Sequence, residues 1–363
     1  MARRSIPLMV LWTSLALAPS PPAPTAAAQD LSPPAADPSL LPYASTKDSV
    51  RLPDGRKFHL VCMGQGSPVV ILSTGAADWS IDWNRVQPAV ASKTRVCAWD
   101  RAGFGLSELP PQIQTVLDTT TDLQAALKAG GVDGPYVMVG MSIGAYESLI
   151  LADREPAKVV GMVLLDPTVP DQANLERRTA PTLSAMGPRR DPFGTFLQTC
   201  IAALRVGTLK VGGPDPDGCW HPRSPPNWPP ELVAAMDRHP ESSSTEGILA
   251  ALENTAAWTG GSETLKRDYK LIVKPNRTYG RMPIVVLSAD ERPNLPPNFP
   301  AAARAEVPRA LAARQHAKQA YAALSTRGVY RVIPDSTHDM VQSTWLAVID
   351  AIDEVVDEAR AGR

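Results

Sequence analysis

The sequence of 363 residues has no excess of charge of either sign. It contains 36 Lys and Arg against 37 Asp and Glu, so its formal net charge is −1. Without a basic field, the sequence does not indicate binding to nucleic acid or to an anionic lipid surface. It has no internal repeat, and no Gly-x-Gly-x-x-Gly fingerprint opens a helix after the first predicted strands. Gly103 and Gly105 follow a later strand and lack the third glycine. We therefore expect no dinucleotide cofactor, and no metal.

Cysteine is scarce, and no two cysteines have the C-x-x-C spacing of a zinc or redox site. The four cysteines are Cys62, Cys97, Cys200 and Cys219. In an exported protein they would be oxidised, so two disulfides are expected. Three connectivities are possible on paper, and four buried free thiols are the alternative.

Outside the N-terminus, no stretch of the sequence is apolar enough to span a membrane. Two arginines precede an apolar run at residues 6–18, which is short for a membrane span, and an Ala-x-Ala cleavage site follows. This pattern predicts a signal peptide over residues 1–28, cleaved near Ala28, with a membrane anchor as the alternative. The mature chain is then expected in the periplasm or outside the cell, with no stable membrane association. The Pro-rich residues 29–47 are predicted to be mobile.

Predicted strands and helices alternate through most of the remaining sequence. Continuous apolar runs such as 67–75 and 135–141 are typical of strands buried on both faces. The alternation predicts an α/β fold with a parallel sheet covered by helices on both sides. It stops in the Pro- and Gly-rich residues 168–280, which contain helical pieces and no clear strand. We interpret residues 48–167 and 281–363 as one core, with 168–280 inserted over the same sheet.

A serine between two glycines marks the end of one predicted strand. Gly140 and Gly144 flank Ser142 at the junction between that strand and a helix. Such a turn strains the central residue and presents its hydroxyl at the carboxyl ends of the strands, where open α/β sheets bind ligands. A simple tight turn is the alternative interpretation. A serine hydroxyl needs an adjacent base to become a nucleophile, and histidine is the usual base near neutral pH.

The positions of the five histidines single out one candidate base. His338 lies just past a late strand, at the edge of the sheet where Ser142 is expected. The remaining histidines fall in a strand, in a helix or in the insertion: His59, His221, His239 and His316. The base needs a carboxylate to set its tautomer. Asp290 and Asp166 each follow a strand, and Asp290 is preferred because it lies on the strand before that of His338.

Acyl transfer also requires hydrogen-bond donors for an oxyanion. The backbone N–H of Ile143, directly after the candidate nucleophile, is predicted to be one donor. The loop after the third strand is predicted to supply the other, because Gly75 and Ala76 allow its backbone to turn toward the serine.

Three segments resemble the α/β-hydrolase superfamily, and the resemblance covers residues 48–361. They are "GMSIG" at the serine turn, "DRAGFGLSE" beginning at Asp100 and "STHDM" around the histidine. The resemblance implies an eight-stranded, mostly parallel sheet and a helical cap at 168–280, after the sixth strand. It also implies disulfides Cys62–Cys97 and Cys200–Cys219. Two family features are absent, since Thr74 replaces the common histidine of the oxyanion loop and Met141 replaces the one before the serine.

The identity of the nucleophile predicts the reaction class. Ser142 implies an acyl-serine intermediate, so we expect hydrolysis of carboxylic esters of a small hydrophobic substrate. Amide, lactone or carbon–carbon hydrolysis and perhydrolysis would use the same residues. A non-catalytic ligand-binding protein on this fold is the alternative of a different class. The sequence indicates no oligomeric state.

Overall fold

The computed structural model describes most of the chain after residue 34. The described residues are 35–45, 47, 49–186, 192–210, 213–214, 218–219, 227–237, 244–258, 263–290 and 295–362. The predicted signal peptide over 1–28 lies outside them. Among the described residues, no helix is both long enough and apolar enough to span a bilayer.

One eight-stranded sheet organises the fold. Its strands are β1 (Ser49–Arg51), β2 (Lys57–Met63), β3 (Val69–Ser73), β4 (Val96–Trp99), β5 (Tyr136–Met141), β6 (Val159–Leu165), β7 (Ile284–Ala289) and β8 (Gly328–Ile333). Their order across the sheet is β1-β2-β4-β3-β5-β6-β7-β8. The β1–β2 and β2–β4 pairs are antiparallel and the remaining pairs are parallel. The predicted eight-stranded, mostly parallel sheet is confirmed.

Helices connect the strands and fill the interval between β6 and β7. They are α1 (Gln87–Ala91), α2 (Val116–Ala129), α3 (Gly144–Arg154), α4 (Gln172–Thr179), α5 (Pro181–Ala185), α6 (Pro192–Arg205), α7 (Pro230–Asp237), α8 (Thr245–Ala257), α9 (Glu263–Leu271), α10 (Ala301–Ala322), α11 (Met340–Ser343) and α12 (Trp345–Arg360). Helices α4 to α9 belong to the predicted insertion.

Apolar side chains cover both faces of the sheet. On one face, Ile71 and Met138 belong to a core that includes Leu123 of α2 and Leu149 of α3. On the opposite face, neighbouring strand residues such as Val70 pack in a second core with residues of α1 and α12. Successive strand residues point to opposite faces, so continuous apolar runs are required where both faces are buried.

The insertion has a small core of its own and also packs on the sheet domain. Leu197, Ile201 and Ile248 are buried together with the disulfide-bonded Cys200 and Cys219. Residues after α8 pack differently, because Trp258 and Ile272 join the core on one face of the sheet. The insertion is therefore anchored to the sheet near its C-terminal end.

Both disulfides implied by the family resemblance are present. Cys62 and Cys97 lie opposite each other on the antiparallel strands β2 and β4, and they are bonded. Cys200 and Cys219 close a segment with a sequence separation of 19 residues within the insertion. The predicted pairing is confirmed, and the alternative of four free thiols is wrong.

Part of the segment predicted to be mobile packs against the core. Pro38–Ala44 forms a 3-10 helix in which Leu40 and Tyr43 are buried. The hydroxyl of Tyr43 donates a hydrogen bond to Oε1 of Gln87 at 2.9 Å. The prediction of mobility for 29–47 is wrong for these residues, because the two buried side chains hold them despite the high proline content.

Candidate active site

The serine turn has the strained geometry that the sequence predicted. Ser142 directly follows β5 and has φ 53°, in the left-handed region. A side chain at Gly140 would collide with the backbone of Gly144, and a Cβ at Gly144 would lie 2.5 Å from the carbonyl oxygen of Ser73. The two glycines therefore allow β5, α3 and β3 to approach closely around the serine. The backbone N–H of Ser142 donates to the carbonyl of Leu165, which ties the turn to β6.

His338 lies within hydrogen-bond distance of the serine. Its Nε2 is 3.1 Å from Oγ of Ser142. The loop that carries it follows β8 and is held at Ser336, whose hydroxyl donates to the carbonyl of Ile333 and accepts the backbone N–H of Asp290. The structure thus brings together the two residues predicted from separate parts of the chain.

Asp166 holds the other side of the histidine ring. Its Oδ2 is 2.6 Å from Nδ1 of His338. Its Oδ1 accepts the backbone N–H of Ala289 at 2.8 Å and the ammonium of Lys318 at 2.6 Å. Burial alone would raise the pKa of Asp166, but the hydrogen bond from His338 and the positive charge of Lys318 outweigh it and lower the pKa to about 2. Asp166 is therefore ionised throughout the neutral range.

The preference for Asp290 as the acid is corrected by this geometry. The hydrogen bond to Nδ1 of His338 comes from Asp166, the alternative acid. Asp166 directly follows β6, which is adjacent to the strand of Ser142, and its φ of 40° bends the chain at the carboxylate. Asp290 directly follows β7, one strand further away, and its backbone supports the histidine loop through Ser336. Both aspartates come between Ser142 and His338 in the chain, so chain order could not separate them.

The predicted oxyanion residues border the same cavity as the serine. Ile143 and Ala76 both line it. Gly75 packs so closely against Met141 that an added Cβ would lie 3.0 Å from its Cε, and the carboxyl group of Asp78 would be closer still. This contact explains why a glycine occupies the position. The roles of Ile143, Gly75 and Ala76 as sources of oxyanion donors stay a prediction.

A buried arginine holds the loop after β3. Arg101 donates to the carbonyl oxygens of Thr74 at 2.8 Å and Gly75 at 2.6 Å. It also makes a two-pronged ion pair with Glu147 of α3. Both charged side chains are almost completely buried. In the sequence Arg101 stands out only as part of the family segment that begins at Asp100, and nothing local indicates its contact with the loop.

The cavity beside Ser142 has a volume of about 350 Å³. The insertion contributes three residues to the wall of this cavity: Gln172 of α4, Trp258 directly after α8, and Tyr269 of α9. Helix α10 contributes Arg314. The remaining lining residues are Ala76, Ser142, Ile143, Asp166, Pro167, Thr168, Lys318 and His338. A larger cavity of about 540 Å³ lies near the amino end of β5, around Tyr136. That cavity does not include the serine or the histidine, so volume alone does not mark the site.

The family model for the alpha/beta hydrolase fold matches residues 67–198, which include the serine turn and the Arg101 segment. This chain has the α/β-hydrolase fold. The strand order and the serine turn described above agree with that assignment.

Relatives of this hydrolase-fold protein have several activities. A 2-hydroxymuconate semialdehyde hydrolase of Pseudomonas sp. is 33% identical over 118 residues, 31% of this chain and 40% of that protein. Lipase LipV of Mycobacterium tuberculosis is 29% identical over 136 residues, 37% of this chain and 51% of the lipase. The structure of a thermophilic esterase from Thermogutta terrifontis has 19% identity and a TM-score of 0.50, covering 86% of this chain and 98% of the esterase. That structural similarity shows the fold. The chain spans about half or less of the length of the curated relatives it matches.

Several polar residues near the hydrolase-fold site were not predicted from sequence. Thr168 places its hydroxyl oxygen 3.2 Å from that of Ser142. Burial raises the pKa of Asp78 to about 6, although the charges of Arg101 and His338 act in the opposite direction. Burial and the nearby Asp78 raise the pKa of Asp82 to about 8. Their positions after β3 are the one sequence signal that could have drawn attention to these two acids.

Proposed function

We propose that this protein is a serine hydrolase that cleaves carboxylic esters through an acyl-serine intermediate. The observation that carries the proposal is the hydrogen-bonded series Ser142–His338–Asp166, with distances of 3.1 and 2.6 Å. These distances suit proton transfer from a nucleophile to a base that is itself oriented by a carboxylate.

The proposed reaction begins when Oγ of Ser142 attacks the ester carbonyl carbon and Nε2 of His338 accepts the hydroxyl proton. Asp166 accepts the Nδ1–H hydrogen bond, sets the tautomer and stabilises the imidazolium. The backbone N–H groups of Ile143 and Ala76 are the proposed donors to the oxyanion. His338 then protonates the leaving alcohol. Water then attacks the acyl carbon while His338 accepts one of its protons. The bond from the acyl carbon to Oγ breaks, His338 returns the proton to Oγ, and the acid product and free Ser142 are released.

Ester cleavage is the preferred reaction among those that a serine at this turn could perform. An ester carbonyl is less stabilised by resonance than that of an amide, and an alcohol is a better leaving group than an amine; the leaving alcohol takes the proton that His338 holds after the first step. Amide, lactone or carbon–carbon hydrolysis and perhydrolysis use the same intermediate and remain the alternatives. A role in ligand binding without catalysis is less well supported, because proteins that have lost activity on this fold have usually lost one of the three residues.

The cavity supports a small substrate with a partly apolar acyl or alcohol group. Its volume of about 350 Å³ is at the lower end of the range of ~300–1,000 Å³ for small-molecule sites. Ile143 and Trp258 provide apolar wall, whereas Gln172 and Arg314 provide polar groups. Because α4 and α9 contribute to the wall, we interpret the insertion as a cap. The two disulfides are consistent with the predicted export to an oxidising compartment.

Covalent labelling and turnover together test this function. The full chain is incubated with a fluorophosphonate probe and assayed with p-nitrophenyl acetate and butyrate. We expect an adduct at Ser142, and Ser142→Ala should lose labelling and on the order of 10³-fold or more of its activity. Ser92→Ala is the control, because Ser92 is exposed after α1. A folded wild-type protein that neither forms the adduct nor cleaves an ester would contradict the proposal.

A further inference from the structure

A buried lysine contacts the carboxylate that orients the histidine. Lys318 is on α10 and is 4% exposed. Its ammonium donates to Oδ1 of Asp166 at 2.6 Å, while Oδ2 of the same carboxylate is 2.6 Å from His338. Burying a lysine is unfavourable unless it is paired, and here Asp166 is its partner. Removing both charges from water still costs free energy, so the pair is expected to contribute to stability or to function.

We propose that Lys318 is a positioning residue that sets the lower end of the pH range in which His338 acts as a base. The proposal rests on the proposed function, in which His338 must be deprotonated to accept the proton of Ser142. It concerns a residue that neither the family resemblance nor the predicted triad includes.

The carboxylate of Asp166 contacts two cationic side chains when His338 is protonated. When His338 is protonated, its imidazolium and the ammonium of Lys318 share the negative charge of Asp166. The two positive charges lie against opposite oxygens of one buried carboxylate and repel each other, so Lys318 opposes protonation of the histidine, although the 60% exposure of the His338 side chain lets solvent weaken the effect. His338 therefore stays in its basic form at a lower pH than Asp166 alone would allow.

Lys318 also fixes the orientation of the carboxylate. The ammonium and the backbone N–H of Ala289 both bind Oδ1, which leaves Oδ2 directed at His338. The lysine is 5% and the aspartate 2% exposed in their side chains, so solvent screening of this pair is weak. Electrostatic tuning and orientation thus arise from the same contact.

Other charged groups face this pair and would influence any pH profile. Asp78, after β3, and Asp339, beside the histidine, interact electrostatically with His338. Further ionisable groups on elements packed around the site are Asp82, Arg101, Tyr269, Asp290, Arg314 and Tyr321. All of these groups are retained when Lys318 alone is changed, so a difference between the pH profiles of the wild type and the variant is due to the loss of the lysine.

Two measurements on the full chain test the proposal. In the first, kcat/KM for p-nitrophenyl butyrate is recorded from pH 4 to 9. Lys318→Gln removes the charge but keeps an N–H donor, and its acid limb should move to higher pH by about one unit. Lys318→Arg keeps the charge and should leave the limb nearly in place. Lys128→Gln, on the exposed side of α2, is the control for loss of a helical lysine. A limb that does not move while kcat falls at every pH would overturn the proposal in favour of a structural role.

The second measurement does not depend on ester cleavage. The ring of His338 is titrated by NMR in protein with labelled histidine, and its signal is assigned by its absence in His338→Gln. The titration midpoint should be higher in Lys318→Gln than in the wild type. An unchanged or lower midpoint would overturn the proposal even if the enzyme is active. If the wild type cleaves no ester and takes no probe, the proposed function fails while the midpoint still tests Lys318. If Lys318→Gln and Lys318→Met both fail to fold although Lys318→Arg folds, the lysine is structural and the proposal is also overturned.

Discussion

Replacing Asp166 with Asn should abolish most activity for a reason that can be read from the site. Two donors, the backbone N–H of Ala289 and the ammonium of Lys318, bind Oδ1 at 2.8 and 2.6 Å. The amide oxygen of an asparagine must occupy that position, because the NH₂ group cannot accept these hydrogen bonds. The NH₂ group then faces Nδ1 of His338 and donates to it. The histidine proton is forced onto Nε2, which can no longer accept the proton of Ser142.

The size of this effect follows from the loss of the productive tautomer. We expect kcat for p-nitrophenyl butyrate to fall by roughly 10³–10⁴-fold. This factor corresponds to about 4–5.5 kcal/mol of transition-state stabilisation. KM should change little, because Asp166 is 2% exposed and contacts the histidine rather than forming most of the cavity wall.

Asp290→Asn is the matched comparison, since Asp290 also follows a strand at the same edge of the sheet. Its backbone N–H, which binds Ser336, is retained in the variant. We expect its kcat to remain within about threefold of the wild type, because a substitution outside the reacting groups removes no transition-state contact. Steady-state kinetics of both variants, with active sites counted by the fluorophosphonate probe, would decide which aspartate orients the histidine. An active Asp166→Asn protein beside an inactive Asp290→Asn protein would refute the assignment.

Two further predictions concern buried charges. Arg101→Met should lower the free energy of unfolding by about 3–5 kcal/mol in urea, because Glu147 would stay buried without its cation; a loss below about 1 kcal/mol would contradict this. Burial raises the pKa of Asp268 to about 7 from 3.8, and among the described residues no donor reaches its Oδ2. Its contribution to stability is therefore present below pH 3.8 and is lost as the pH rises through about 7. Asp268→Asn should accordingly raise Tm relative to the wild type more at pH 8 than at pH 5, by roughly 3 °C, and an equal difference at both pH values would count against it.

The local features of this fold could be predicted because they depend on near neighbours in the chain. The apolar run at 135–141 corresponds to β5, Tyr136–Met141, and the serine turn follows it as expected. A strand buried on both faces needs a continuous apolar run, and a turn with positive φ beside crowded backbone needs glycines. Consecutive residues of the sequence meet both requirements.

Features that depend on distant contacts could not be predicted in the same way. Composition suggested that residues 29–47 are mobile, but the contact of Tyr43 with Gln87 spans 44 positions. Lys318 lies in an Ala-rich helix where nothing local marks a buried lysine, and its partner Asp166 is 152 positions away. Such pairs exist only because separate elements meet in the folded chain.

The sequence by itself determined the alternation of strands and helices, the strained serine turn and the one histidine that follows a late strand. Each of these follows from the conformational preferences of a few adjacent residues. Only the tertiary structure decided that Asp166 rather than Asp290 binds the histidine, and that a lysine from α10 stands behind it. Both aspartates directly follow a strand at the same edge, so the lateral order β5-β6-β7-β8 and the bend at Asp166 were needed to choose between them. That order is set by the packing of the whole sheet and cannot be read from either strand alone.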